Sequence, residues 1–399
     1  MVKKNIKEVM PPVETFANIK VVGVGGSGGS AINRMVASKI RGVDFIAVNT
    51  DAQALHSSIA PNKIHIGKTT TKGLGAGMDP DLGLKSAEEN EADIIGQLQG
   101  ADMVFITCGL GGGTGTGAAP LIADLARESG ALTVAVVTKP FTFEGVHRKD
   151  IADRGLERLM DKVDTIITIP NDRLLQIIDK KTSLLEAFSI VDEVLKQGVQ
   201  GISEVITVPG LVNVDFADVK AIMNQSGSAL MGIGNATGEN RARDAAKAAI
   251  DSPLLELSIN GATGVLFTIA GSSDLSMFEV NEAAEVITAN CDPEAKIIFG
   301  TVIDESLGDE VKVTVIATGF KNNEDISVKS SQTSSQSSSD MIMSHPEAFA
   351  KKSEERQEKQ AFEKKRNSRD DEEVAEVPKS KKEEELDIPA FLRKKLRNR

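Results

Sequence analysis

Along the first half of the chain, short β-branched runs alternate with stretches of helical apolar spacing. Ile19-Lys20-Val21-Val22-Gly23-Val24 reads as a strand that opens onto Gly25-Gly26-Ser27-Gly28-Gly29-Ser30. Ile32, Met35, Val36 and Ile40 then continue at the spacing of a helix face. Further strands are expected at 43–49, 103–107, 132–138 and 165–169, with helices at 82–99, 118–129 and 150–163 between them. Strands that alternate with helices predict a parallel sheet covered on both faces.

A long helix is expected over 184–206, where Leu184, Leu185, Phe188, Val191, Val194, Leu195, Val199, Ile202 and Ile206 repeat every three or four residues. Gly198 and Gly201 weaken it, and Pro209-Gly210 ends it. Beyond it, helices at 216–224, 240–249 and 280–288 mix with strands at 264–269, 295–303 and 311–318. The fold class expected is therefore α/β, a Rossmann-like parallel-sheet domain joined by a long central helix to a smaller α/β domain. The boundaries are a flexible leader at 1–17, the first domain at 18–183, the helix at 184–207 and the second domain at 208–320. A disordered linker at 321–386 and a terminal peptide at 387–399 complete the chain.

Composition sharpens the tail and the list of partners. Residues 327–339 are mostly Ser and Thr, and acidic and basic residues alternate after them, too polar a mixture to offset ordering entropy. Asp387-Ile388-Pro389-Ala390-Phe391-Leu392-Arg393 regains apolar character, as a docking peptide does. The net charge is −12, and with 18 Lys+Arg against 17 Asp+Glu after residue 320 the body alone carries −13. That balance speaks against generic nucleic-acid binding. With no Trp and no Tyr, Phe is the only aromatic left to stack on a base. There is no apolar leader and no 18-residue apolar run, so a soluble, cytoplasmic protein is expected. Cys108 and Cys291 sit beside apolar runs and read as buried thiols; His56, His65, His147 and His345 lack metal-ligand spacing.

Two glycine loops carry the chemistry. Gly23-x-Gly25-x-x-Gly28 after a strand suits phosphate, and equally a dinucleotide with Asp44 or Asp51 as the ribose acid. The second, Gly109-Leu110-Gly111-Gly112-Gly113-Thr114-Gly115-Thr116-Gly117, runs from a strand into a helix that is expected to begin after Gly117. So many glycines are costly in backbone entropy unless the main chain must approach a ligand closely. The hydroxyls of Thr114 and Thr116 and the helix dipole point to a phosphate chain. Gly67-Lys68-Thr69 imitates the end of a P-loop, but Asn62 stands where that motif needs glycine.

The loop from Gly111 to Gly117 resembles the signature of the tubulin/FtsZ family. So do Asn49-Thr50-Asp51-Ala52-Gln53-Ala54-Leu55, Pro140-Phe141-x-Phe143-Glu144-Gly145, Ile169-Pro170-Asn171-Asp172, Gly198 to Ile202, Asn213 to Val219 and Gly227 to Gly232, in family order. Asp387 to Arg393 is similar to the family's partner-binding peptide. The resemblance implies a GTPase that binds GTP/GDP with Mg²⁺ and polymerises head to tail into a cytokinetic ring at mid-cell. Its tail would bind division and membrane-tethering proteins, with membrane contact only indirect.

By the same resemblance Gly25, Gly26, Ser27, Gly28, Gly29 and Ser30 would line the nucleotide, together with Gly109, Gly112, Gly113, Thr114, Gly115, Thr116 and Gly117. Glu144 and Arg148 would sit at ribose and phosphates; Asn171, Phe188 and Asp192 would read the base. A carboxylate accepts from guanine N1–H and N2–H together, whereas adenine offers it an unprotonated N1. Core packing for Phe188 and a plain surface acid for Asp192 are the alternatives. Asn213, Asp215 and Asp218, in an activation loop at 210–219, would position water and a hydrated Mg²⁺ rather than form a protein-only metal cage. A helix of about 22 residues is roughly 33 Å long, so these acids would serve a neighbour's GTP in an open filament. Without the resemblance, Asp215 reads as a helix N-cap. Many relatives carry more glycine near Ser27 and an Asn where Ser30 stands. Two other readings are an NAD(P)-dependent oxidoreductase and a tubulin-like filament for DNA segregation.

Overall fold

The structure, a computed structural model, describes residues 17–320 except 177, 179, 180, 209, 211 and 256–258. Residues 1–16 of the leader, the linker at 321–386, the peptide at 387–399 and His345 lie outside the described residues. Strands β1 (Ile19–Val24), β2 (Val43–Asn49) and β3 (Asn62–His65) alternate with helices α1 (Gly25–Ala37) and α2 (Ala52–Ser57). Next come α3 (Pro80–Glu89), α4 (Glu91–Leu98), β4 (Met103–Gly109), α5 (Thr114–Glu128), β5 (Leu132–Lys139) and α6 (Val146–Met160). β6 (Thr165–Pro170), the short α7 (Asn171–Leu174) and the long α8 (Leu184–Thr207) follow. The remaining elements are α9 (Phe216–Met223), β7 (Gly227–Ala236), α10 (Arg241–Ile250), β8 (Gly264–Gly271), α11 (Met277–Thr288), β9 (Lys296–Ile303) and β10 (Val311–Thr318).

Among the described residues ten strands form one sheet in the order β3-β2-β1-β4-β5-β6-β7-β10-β8-β9. β1 to β6 are parallel, as expected from the alternation of strands and helices. β7 joins β6 through only three residue pairs, Thr165–Gly227 to Ile167–Ala229. β10 runs antiparallel to β7 and β8, and β9 is parallel to β8. Strand order reverses between β1 and β4, the crevice at which open α/β sheets bind ligands. Both glycine loops leave the carboxyl ends of these two strands.

Alternate residues of β1 and β4 feed different cores. Val21 and Phe105 join Met35, Val199 and Ile202 beneath α1 and α8, while Val22 and Ile106 join Ala118 and Ile122 beneath α5. A third core lies between α10, α11 and the strands β8 and β10, around Phe267, Val313 and Ala245. α8 is closed at its start by Ser183 and Glu186, whose side chains bond each other's backbone N–H.

Several expected elements are corrected. The helix expected at 82–99 is two helices, because the Asn90 side chain turns away to accept Gly67 N–H at 2.9 Å and to donate to Asp93. α5 begins at Thr114 and α6 at Val146, four residues earlier than read in each case, so Thr114 to Gly117 are a first helical turn, not a loop. Gly25 to Ser30 likewise open α1. β7 carried no strand signal because its glycines depress strand propensity; a Cβ at Gly232 or Gly234 would lie 2.0 or 2.1 Å from α10 carbonyl oxygens. Cys108 is buried, but Cys291 is only half so, its thiol donating to Ile287 O at 3.2 Å.

Candidate functional site

A cavity of about 440 Å³ opens at the strand-order reversal. Its floor is built by the first turns of α1 and α5, which meet closely: a Cβ on Gly25 (φ +73°) would stand 3.0 Å from Gly115 N. Neither helix has a side-chain cap or an acid in its first turn, so the amide donors and the positive ends of both dipoles face the cavity floor unneutralised. At Gly26 and Gly112 a Cβ would meet nothing within 4 Å among the described residues beyond its own stretch of chain, so bare backbone meets the cavity there. Ser27 sits over Gly109, and the Thr114 hydroxyl is held 2.6 Å from that of Thr50. Gly113, Ser30 and Gly115 also line this end.

The flank comes from the carboxyl end of β5 and the turn after it. Arg148 of α6 is hydrogen-bonded to Glu144, whose other oxygen accepts Phe141 N–H at 2.9 Å. Among the described residues Arg148 is the only cation that lines the cavity, and Glu144 partly balances it.

The opposite end is different in kind. Phe188, one turn before Asp192 on α8, is 40% exposed and meets Phe141 edge-on at 5.7 Å. Its ring is thus supported from behind and open in front. Asn171 is 5% exposed, and its Oδ1 is buried without a hydrogen-bond partner among the described residues. Burial lifts the Asp192 carboxyl to about 6, against a smaller downward pull from Arg34. An aromatic face, an unsatisfied amide oxygen and a carboxylate make a receptor for a flat heterocycle rich in N–H donors. The whole cavity therefore suits an anionic chain at one end and a donor-bearing base at the other.

Fourteen of the expected ligand residues are brought together here: Gly25, Gly26, Ser27, Ser30, Gly109, Gly112, Gly113, Thr114, Gly115, Glu144, Arg148, Asn171, Phe188 and Asp192. Four are not. A Cβ on Gly28 would come 2.4 Å from Thr107 O and one on Gly117 2.0 Å from Pro80 O, so both are packing glycines. Gly29 faces a small neighbouring cavity between α1 and α2. The buried Thr116 hydroxyl accepts Gly111 N–H at 3.0 Å and so staples the loop. Val24, Leu110, Thr138, Pro140 and Val191 line the cavity without having been singled out. Thr138 and Pro140, at the carboxyl end of β5, were findable by the strand-end rule.

Other candidates resolve into local structure. Asp51 caps α2 by accepting from Gln53 and Ala54 N–H at 2.8 and 3.3 Å, and Asp44 is exposed on β2. Neither lines the cavity, which removes the ribose acid of the dinucleotide reading. At Gly67-Lys68-Thr69, Glu89 accepts from Thr69 N–H and Thr70 N–H and O–H, bonds that bring its carboxyl down to about 2. That loop's amides serve a carboxylate of the chain itself. His56 and His147 are exposed and His65 is half-buried. Among the described residues no group of three or more His, Cys, Asp or Glu could hold a metal ion, and no helix is long and apolar enough to cross a membrane.

Asn213, Asp215 and Asp218 lie beyond the far end of α8 and are exposed; none lines the cavity. The 24 residues of α8 span about 36 Å. Asp215 caps α9 by accepting Asp218 N–H at 2.8 Å, and Asn213 accepts Gly210 N–H at 2.6 Å. Val212 N–H donates to the Thr301 hydroxyl at 2.9 Å and its carbonyl accepts Thr301 N–H at 3.1 Å, so β9 fixes the segment.

Residues 18–179 match the Tubulin/FtsZ family, GTPase domain, and residues 227–321 match the FtsZ family, C-terminal domain. An empty FtsZ dimer from M. jannaschii is 48% identical over 76% of this chain and 89% of that one, with a TM-score of 0.74. CetZ2 from Haloferax volcanii, a GTPγS-bound protofilament, superposes with a TM-score of 0.64 at 22% identity, over 78% of this chain and 96% of that one. CetZ1 from the same organism, a GDP-bound monomer, gives 0.66 at 20% identity, over 79% and 100%. These two share the fold. With the FtsZ match extending over three-quarters of its length, the chain belongs to the tubulin/FtsZ family of GTP-hydrolysing proteins.

Proposed function

We propose that this GTPase assembles head to tail, and that the segment from Asn213 to Asp218 of one copy completes the hydrolytic site of the next. The observation that carries the reading is the separation along α8: the base-reading end of the cavity is at its start, and the exposed acids lie past its end. A lone copy that binds GTP lacks the groups that would orient water. Positioning and charge neutralisation are most of what phosphoryl transfer asks of a protein. Asp215 would be doubly used, capping α9 and setting the attitude of Asp218 toward the joint.

Exposed apolar side chains support such a joint. Phe143, Val146, Leu184 and Leu185, in the segments that also carry Glu144, Arg148 and Phe188, are exposed, and Leu74 is 86% exposed. Met277 and Phe278 are exposed where α11 begins after β8, the strand that pairs with the β9 residues holding Val212. Two unlike surfaces meeting repeatedly give an open filament, not a closed dimer. Relatives described as a dimer and as a protofilament point the same way.

The resident nucleotide would be GTP or GDP, held by the amides of the two helix starts, by Arg148 and Glu144, and by Asn171, Phe188 and Asp192. A hydrated Mg²⁺ would neutralise the phosphates. Within the family this activity serves a cytokinetic ring at the division site, and we assign that role here. The peptide at 387–399 would join the filament to division and membrane-tethering partners.

The test is GTP turnover against protein concentration with Mg²⁺, alongside sedimentation. A shared site gives a threshold concentration and pelletable polymer. Turnover strictly proportional to protein, with no polymer, would overturn the reading.

A further inference from the structure

We propose that Arg34 is a positioning residue of the nucleotide site: its guanidinium keeps the Asp192 carboxylate charged, and so able to accept both N–H donors of guanine. The inference rests on the base-reading role given to Asp192 above and adds a residue that does not line the cavity.

The geometry begins with α1. Ser30 lines the cavity and Arg34 lies one turn further along the same helix, where α1 packs against α8. Arg34 Nε is buried without a hydrogen-bond partner among the described residues. Its nearest carboxylate oxygen, on Glu193, is 3.9 Å from Nη1, too far for a hydrogen bond. The guanidinium is therefore partly buried, with its Nε unsatisfied among the described residues, and lies beside the stretch of α8 that carries Asp192 and Glu193. Neighbouring charges are committed elsewhere. Lys196 binds Glu193 at 2.6 Å, and Arg148 is bonded to Glu144 across the cavity. Arg34 alone among these acts on Asp192 against the effect of burial.

The charge state decides what the site can read. A carboxylate has only acceptors, matching guanine N1–H and N2–H. A protonated acid turns one oxygen into a donor, which would confront an N–H and leave it unpaired. With Asp192 at about 6 in the presence of Arg34, loss of the cation would carry its titration into the neutral range.

The experiment is GDP affinity of the full chain, measured from pH 5 to 8.5. Wild-type affinity is expected to be flat above neutrality and to fall by up to about tenfold per pH unit below the Asp192 titration. In Arg34→Gln the fall should begin about one pH unit higher, giving binding roughly threefold weaker near pH 6.5, about five- to tenfold weaker between pH 6 and pH 5, and within about twofold of wild type at pH 8.5. Arg34→Lys should restore the wild-type profile. Equal weakening at every pH would mean that Arg34 only packs, and an unchanged midpoint would equally overturn the inference. If Arg34→Gln fails to fold, Arg34→Lys and Glu193→Gln carry the test. Glu193→Gln frees the guanidinium and removes a like charge, so it must lower the midpoint; a rise sinks the proposal. Asp192→Asn separates the two claims. If it abolishes the pH dependence and the preference for GDP over ADP while Arg34→Gln titrates like wild type, only the Arg34 role fails. If it leaves both properties intact, the base-reading role falls as well.

Discussion

Thr50 and Thr114 share a buried hydrogen bond of 2.6 Å between their hydroxyls, fastening the first residue of α5 to the residue that follows β2. The bond ties the phosphate end of the cavity to the end of β2, which does not line it. Thr50→Val should therefore weaken both fold and binding: about 1–2 kcal/mol of stability for an orphaned buried hydroxyl, and several-fold in GDP affinity. Thermal unfolding with and without GDP measures the two.

Gly26 and Gly117 should respond oppositely to the same change. Alanine at 26 meets open space, and at 117 its Cβ would fall 2.0 Å from Pro80 O. Gly26→Ala is expected to fold normally and bind GTP more weakly, by roughly tenfold as the backbone loses close approach. Gly117→Ala should lower the melting temperature sharply or abolish soluble expression. Circular dichroism and equilibrium binding distinguish the two outcomes.

Asn171→Leu removes a buried oxygen that has no partner. The nucleotide-free protein should be as stable as wild type or more so, while GTP binds about tenfold less tightly. A denaturant titration beside a binding isotherm checks both halves.

Asp192 is lifted to about 6, burial being the main cause. A carboxyl raised on folding contributes most to stability below its unfolded value near 4, and that contribution is lost as pH rises through about 6. Asp192→Asn should then stabilise the nucleotide-free protein at pH 8 by about 1–2 kcal/mol after allowance for partial exposure, and much less at pH 4. Melting temperatures at the two pH values give the sign directly.

Asp218→Ala is expected to reduce GTP turnover by about 100-fold or more with GTP affinity within twofold of wild type. Mixing it with wild type should lower turnover in proportion to the joints in which the variant supplies the acid, because each joint takes its nucleotide from one copy and Asp218 from the next.

Much of this was legible in the chain and some was not, for identifiable reasons. β1 and β2 were read to the residue because each is a short run rich in Val and Ile, bounded by a glycine turn or by polar residues. The glycine loops announced a phosphate site because so many glycines have no other economical use. Their division of labour was invisible: Gly26 and Gly28 are two residues apart, one facing the cavity and the other wedged against Thr107. Which face a glycine presents depends on helix onset, and α1 and α5 both start earlier than glycine propensity allows. β7 was missed for the converse reason, since its small residues answer to α10 and not to strand preference. Arg34 was not singled out at all. It has no motif, and its meaning comes from α8 lying across α1.

The joint between β6 and β7, three residue pairs wide, is the narrowest place in the sheet. A ladder so short offers little resistance to shear, whereas α8 is anchored on both sides by its buried face, with Val199 against one set of strands and Thr268 O–H reaching Gly201 O at 3.2 Å from the other. Torque applied at the mouth of the nucleotide cavity would thus reach the distal strands by way of the helix, as an axle turns a wheel, and the sheet itself would flex along that seam.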